Sequence, residues 1–189
     1  MTILIIVLVV IVLLVVAVFV GGYNGLVRLR NKIDAAWAQI DVQLKRRFDL
    51  IPNLVETVKG YAAHERGTLE AVIQARNNAI AAQGQGTGAQ VAAENQLTGA
   101  LRQIFALSES YPNLKANENF QQLQTELSDI ENKLAASRRF FNNTVQEYNT
   151  GIQRFPAVLL AGTLGFHPQV FFDLGEDRKV VEQAPQVKF

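Results

Sequence analysis

Four charged side chains interrupt rows of residues that are otherwise apolar. Arg47 continues the seven-residue row of Leu26, Ile33 and Ile40, and Glu65 stands between Val58 and Val72. Arg76 follows Leu69 in its row, and Arg138 precedes Val145. A lone charge carried into a helix interface is costly, so each of these must pair, snorkel or reach water. Three readings are open. The arginines bind an acidic ligand or lipid head group; or Glu65 pairs with an arginine across a bundle and fixes helix register; or all four lie on the wet edge of the apolar stripe.

Other chemistry is sparsely provided. The chain has no cysteine, which removes disulfides, thiolate metal sites, a cysteine nucleophile and a lipidated cysteine. Of its two histidines, neither His64 nor His167 has a glutamate three residues before it, as a di-iron helix requires. His64-Glu65 also lacks the second histidine of a zinc-protease helix. The run Gln83-Gly84-Gln85-Gly86-Thr87-Gly88-Ala89-Gln90 reads as a flexible linker; a phosphate loop would need Gly-Lys-Ser/Thr leading into a helix after a strand. No catalytic residue, cofactor-binding residue or metal ligand is therefore expected, and the chain is read as non-enzymatic. A formal net charge of +1 argues against a nucleic-acid surface.

The elements that carry these residues begin with an anchor, residues 1–22. Residues 3–20 contain no charge, hydroxyl, glycine or proline. As a helix they span about 27 Å, close to a hydrocarbon core of about 30 Å. The run is longer than the apolar stretch of a signal peptide and no Lys or Arg precedes it, so it is read as a retained single span. Arg28, Arg30 and Lys32 follow it against one acid, Asp34. Basic flanks stay in the cytoplasm, which predicts the N-terminus outside and the following domain cytoplasmic; the alternative is a domain on the opposite, periplasmic side.

Residues 23–156 are predicted to form an all-α, elongated antiparallel bundle of about four long helices. The first covers about 23–51, in rows Leu26, Ile33, Ile40 and Trp37, Leu44, Ile51, and continuity with the anchor through Gly21-Gly22 is open. Pro52 is expected to stop it and to open the next helix, which runs to about residue 83, giving a hairpin or else one long kinked helix. A third helix covers about 91–107, and residues 108–117 interrupt the pattern with Tyr111-Pro112-Asn113. The last is the clearest: Phe120, Leu127, Leu134, Phe141, Tyr148 and Phe155 fall at strict seven-residue spacing, a rod of about 54 Å. Residues 157–189 form an apolar tail too short to span. It could dip into the membrane interface, but docking on the bundle or on a neighbouring subunit is preferred.

Several strings in this sequence resemble one family. The anchor, Tyr23-Asn24, the run Lys45-Arg46-Arg47-Phe48-Asp49-Leu50-Ile51-Pro52-Asn53-Leu54-Val55, Tyr61-Ala62-Ala63-His64-Glu65 and Ala75-Arg76 are similar to the LemA family of bacterial membrane proteins. Tyr111-Pro112-Asn113-Leu114-Lys115-Ala116-Asn117, Ser137-Arg138-Arg139-Phe140-Phe141-Asn142 and Phe155-Pro156 continue the resemblance, which covers nearly all the chain. It implies a bacterial protein with one span and a helical-bundle domain, with no established activity or ligand. The family's magnetosome-membrane members loosely imply membrane organisation. The resulting expectation is a scaffold of the bacterial inner membrane, acting by self-association as a homo-oligomer or by presenting its bundle to unidentified protein partners. The alternative is a surface module for anionic lipid head groups or an acidic partner, using Arg28, Arg30, Lys32 and Lys45-Arg46-Arg47.

Overall fold

The computed structural model describes residues 1–159 and 161–172. Helix α1 covers Thr2–Lys59, α2 Arg66–Ala81, α3 Thr87–Ser108, α4 Pro112–Lys115 and α5 Glu118–Gln153. A single 3-10 turn, Ala157–Leu159, follows. No strand occurs among the described residues. The protein is all-α: a long apolar N-terminal helix followed by a helical bundle.

Within α1 the first stretch is fully apolar and unburied, with a mean hydropathy of 4.0 over eighteen residues. It is the one described helix long and apolar enough to cross a membrane. Its Val and Ile are weak helix formers in water, but lipid requires every backbone N–H to bond within its own segment.

α1 passes through Pro52 and ends only at Lys59, so proline does not stop it as the sequence predicts. A proline inside a helix leaves the carbonyl four residues earlier without its N–H partner. Here that carbonyl belongs to Phe48, and it accepts a hydrogen bond from Arg76 Nε at 2.8 Å. A guanidinium from α2 thus replaces the donor that proline lacks. The real break follows Gly60, where the N–H groups of Tyr61 and Ala62 both turn back to Val58 O.

The Gly-rich run is shorter as a loop than its composition predicts. Only residues 82–86 connect α2 to α3, with Gly84 at φ 78° and Gly86 at φ 102°, a region closed to most side chains. The interruption at 108–117 contains α4, opened by Pro112 in its first turn. α5 ends at Gln153, so Phe155, sixth in the heptad row, lies outside it and is 78% exposed. Pro156 explains this, because the residue before a proline avoids the α region.

The chain divides into two compact units. Met1–Gln39 and Ser137–Phe171 form the first. Its core is Leu26, Ile33 and Ala36 of α1 against Phe141, Val145, Tyr148 and Ile152 of α5, closed by the rings of Trp37 and Phe141 edge to face at 5.2 Å. Ile40–Ala136, with Phe172, forms the second. There Ile40, Leu44, Ile51, Leu54 and Val58 pack with Val72 and Ala79 of α2, Leu97 and Ile104 of α3, and Phe120 and Leu134 of α5. Each fully buried Leu, Ile or Phe contributes about 1.5–3 kcal/mol, which sets these rows as the main stabilising surface.

Candidate functional site

The most unusual local environment belongs to Arg47. Its row position points it into the second unit, where it is 3% exposed. Nη1 donates to Glu94 Oε2 at 3.1 Å, and Nη2 donates to Thr98 Oγ1 at 2.7 Å. Glu94 and Thr98 stand four residues apart on α3, the spacing that puts two side chains on one helix face. Nη2 also lies 3.3 Å from Glu131 Oε2 on α5. The two carboxylates differ: the Glu94 side chain is 1% exposed and that of Glu131 is 42% exposed. One guanidinium therefore ties three helices together, with a buried acid behind it and a wet one in front. A cavity of about 270 Å3 adjoins it, walled by Thr98, Leu101, Arg102, Phe105, Leu127 and Glu131 among others.

The remaining seam charges go to different places. Glu65 does not meet an arginine: it flanks the N-terminus of α2 and accepts a hydrogen bond from the Tyr111 hydroxyl at 3.0 Å. That bond, then burial and the carboxylate's charge, hold the Tyr111 hydroxyl above the usual tyrosine range. Arg76 serves Phe48 O as described. Arg138 is half-buried on α5.

A second polar group lies beside the Glu65–Tyr111 bond. Asn117 Nδ2 donates to the Tyr61 hydroxyl at 3.0 Å, while Asn117 Oδ1 accepts the Phe120 N–H at 2.9 Å and so caps α5. Residues 61–65 and 111–117, two of the strings that carry the family resemblance, are thus hydrogen-bonded to each other. They clasp the break after α1 to the turn before α5.

In the first unit, Arg28 and Arg30 are exposed on the turns of α1 that follow the apolar stretch. Lys32 is tied to Glu147 Oε2 at 2.7 Å and lies 6.0 Å from the Phe140 ring. Burial raises the Tyr148 hydroxyl, and the charge of Arg30 partly lowers it. In the second unit, Lys45 and Arg46 are exposed beside the buried Arg47. Burial also raises the Asp41 carboxyl, offset in part by the neighbouring Gln90 amide.

Neither histidine lines the Arg47 cavity, and both are exposed. Among the described residues no group of three or more histidines and carboxylates could hold a metal ion. Chemically the Arg47 cluster is a directional polar joint that fixes side chains of three helices.

Glu94, Thr98, Glu131, Tyr61, Tyr111 and Asn117 were not singled out by sequence reasoning. Glu94 had a signal, because it stands seven residues before Leu101, itself seven before Ser108, and so occupies a seam position. Asn117 had another, as a good cap placed just before a strong heptad run.

Residues 36–189 match the model of the LemA family. The chain is 24% identical over 174 residues to Magnetosome protein MamQ of Magnetospirillum gryphiswaldense, an alignment covering 79% of this chain and 64% of that protein. Magnetosome protein MamQ 2 of Paramagnetospirillum magneticum matches at the same 24% identity and the same 79% and 64% coverage. Protein LemA of Metamycoplasma hominis is 28% identical over 163 residues, covering 86% of this chain and 74% of that one. The chain thus spans less than two thirds of the two MamQ proteins. With a family match running from the middle of α1 to the last residue, the chain belongs to the LemA family.

Proposed function

We propose that this protein is a membrane-anchored helical scaffold of the bacterial inner membrane, without enzymatic activity, that works by self-association or by presenting its bundle to protein partners. The observation that carries this reading is α1. One uninterrupted helix contains both the unburied apolar stretch of residues 3–20 and the seam residues Leu26 to Val58 that the bundle is built on. A helix of that composition inserts favourably, since each Val, Ile, Leu or Phe contributes about −0.3 to −0.6 kcal/mol near the bilayer centre. The relatives named as magnetosome proteins lend support to a structural role. The basic flank Arg28, Arg30 and Lys32 supports a bundle on the cytoplasmic side.

Mass measurement of the detergent-extracted protein across a concentration series tests self-association, with crosslinking in whole cells to identify attached proteins. Oligomers or a reproducible partner are expected; a strict monomer with no crosslinked neighbour would overturn the reading. Thiol labelling of a single engineered cysteine at Lys133 in intact and permeabilised cells checks the side. Reaction only after permeabilisation is expected.

The exposure of Arg28 and Arg30 within about 15 Å of Val20 along the helix favours the second reading, a contact with anionic head groups. Vesicle binding that ignores both anionic lipid and salt would remove it.

A further inference from the structure

The first unit carries a second apolar surface, and its position relative to the span is fixed by side-chain contacts. α5 runs antiparallel to α1. Trp37 meets Phe141, Lys32 meets Glu147, and Gly151 faces Leu26 and Leu29, whose side chains would come within 3.5 Å and 3.2 Å of an added Cβ. Each residue forward on α5 is thus matched by about one residue back along α1 towards the apolar stretch. Carried to Gln153, where α5 ends, the same register reaches about Gly25 of α1, and Phe155 follows two residues on, towards Tyr23. Tyr23 lies only about 5 Å beyond Val20 along the helix axis.

The chain beyond α5 stays at that level and is held at both ends. Ala161 and Phe166 are buried, Phe166 N–H bonds back to Ala161 O, and the Phe166 ring stands edge-on to Tyr23 at 5.6 Å. Asn149 then clips the returning chain twice, donating to Gln169 O at 2.9 Å and accepting the Gln169 N–H at 2.8 Å. The described residues between these anchors turn their largest apolar side chains outward. Phe155 is 78% exposed, Leu159 60%, Val158 50% and Leu164 47%. A loop braced at its base by the buried Phe166 ring and a double hydrogen bond, yet apolar at its tip, is not explained by burial within the unit. Beside it stand exposed cations suited to head groups, Arg154 at its root and Arg28 on α1.

The geometry points to residues 155–159 and 161–164 as an interfacial membrane loop: Phe155, Val158, Leu159 and Leu164 enter the head-group and upper acyl layer of the same leaflet from which α1 emerges. The occupant of this surface is lipid because the loop is seated beside the span: its buried Phe166 packs on the exposed Tyr23, three residues beyond the apolar stretch. A bilayer adds a polar layer of several ångströms to each side of its hydrocarbon, and interfacial segments sink about 5–10 Å. Phe155 falls within that layer. Val170 and Phe171 are also exposed but lie past the Asn149 clip and form no part of this loop. The protein would then hold the membrane at two points, which prevents the first unit from swivelling about a single helix.

This rests on residues 3–20 being a membrane span, and the test separates the two. The chain lacks cysteine, so single cysteines can be placed in the full-length protein at Leu159→Cys, Val12→Cys and Arg139→Cys. Each is labelled with an environment-sensitive nitrobenzoxadiazole fluorophore and reconstituted in vesicles of phosphatidylcholine and phosphatidylglycerol. Nitroxide lipids quench at the head group or deep in the acyl chains. The label at 12 should lose most of its emission to the deep quencher, the label at 159 to the shallow one, and the label at 139 to neither. If 12 is quenched while 159 behaves like 139, the loop proposal is overturned and the anchor stands. If 12 escapes the deep quencher, the anchor fails and the loop falls with it.

Discussion

Residues 1–39 with 137–171 close their seam with rings and branched chains, and leave their ion pair, Lys32–Glu147, at the rim. Residues 40–136 are built on the continuation of the same two helices, yet they draw a guanidinium and a carboxylate into the core. Apolar contact is non-directional and tolerates small slides between helices. A buried charge has few acceptable positions, because any other leaves it unpaired in a medium where that costs several kcal/mol. The contrast suggests that packing holds the first unit, while the second is held and also indexed, with Arg47 setting the register of α1, α3 and α5.

The sharpest way to break that contrast is to remove one partner of the buried pair. Arg47→Met leaves Glu94 buried against an apolar group and should cost about 3–5 kcal/mol in denaturant unfolding of the full chain in detergent. The double variant Arg47→Met with Glu94→Leu should recover most of that loss, since apolar replacements of a whole buried pair are often neutral. Should the single variant unfold at the wild-type midpoint, the indexing role would be gone.

Next in size is the repair at Pro52. Arg76→Met strips Phe48 O of its charged donor and should cost about 1.5–3 kcal/mol. In a Pro52→Ala background residue 52 regains an N–H for that carbonyl, so the same arginine change should cost clearly less. Equal costs in both backgrounds would mean that Arg76 acts through something other than the proline defect, and the double-mutant cycle measures this directly.

These pairs also show what was readable beforehand. The apolar rows were, because a stripe of Phe120, Leu127, Leu134, Phe141 and Tyr148 is a local property of the sequence, and all five are buried. Arg47 stood out as an intruder in such a row. Its partners did not, because Glu94, Thr98 and Glu131 come from 47 to 84 residues away and only folding brings them to one point. Of the two readings at Pro52, a stop or one long helix, the second holds, and the choice was hidden for the same reason: proline breaks helices locally, but the donor that serves the freed carbonyl lies 28 residues beyond Phe48 in α2. Glu65 was left open between an arginine partner and a wet edge, because its row position says nothing of Tyr111, 46 residues on, whose hydroxyl reaches it in the break between helices.

The exposed pair of the first unit sharpens the comparison from the other side. Lys32→Ala should cost no more than about 1 kcal/mol, and that cost should fade in molar salt, because both side chains are wet. The loss in Arg47→Met should persist in the same salt. A Lys32 effect as large and as salt-resistant as that of Arg47 would erase the distinction between rim and core.

The smallest effect concerns pH. Asp41, at the start of the second unit, has its carboxyl raised above the ordinary 3.8, mainly by burial, against the opposing effect of the neighbouring Gln90 amide. A carboxyl whose folded pKa lies above its unfolded one favours the folded state most when protonated. That contribution is complete below the unfolded value and is lost as pH rises through the folded one. At neutral pH the charge is therefore a small liability, reduced further by solvent because the group is only partly buried. Asp41→Asn removes the charge at nearly constant size, so thermal melts should place its midpoint slightly above wild type at pH 7. The gap should close below pH 3.8, where both side chains are neutral. A gap of constant size across that range would mean that the substitution acts through packing, and that the second unit tolerates this charge as easily as the first tolerates those at its rim.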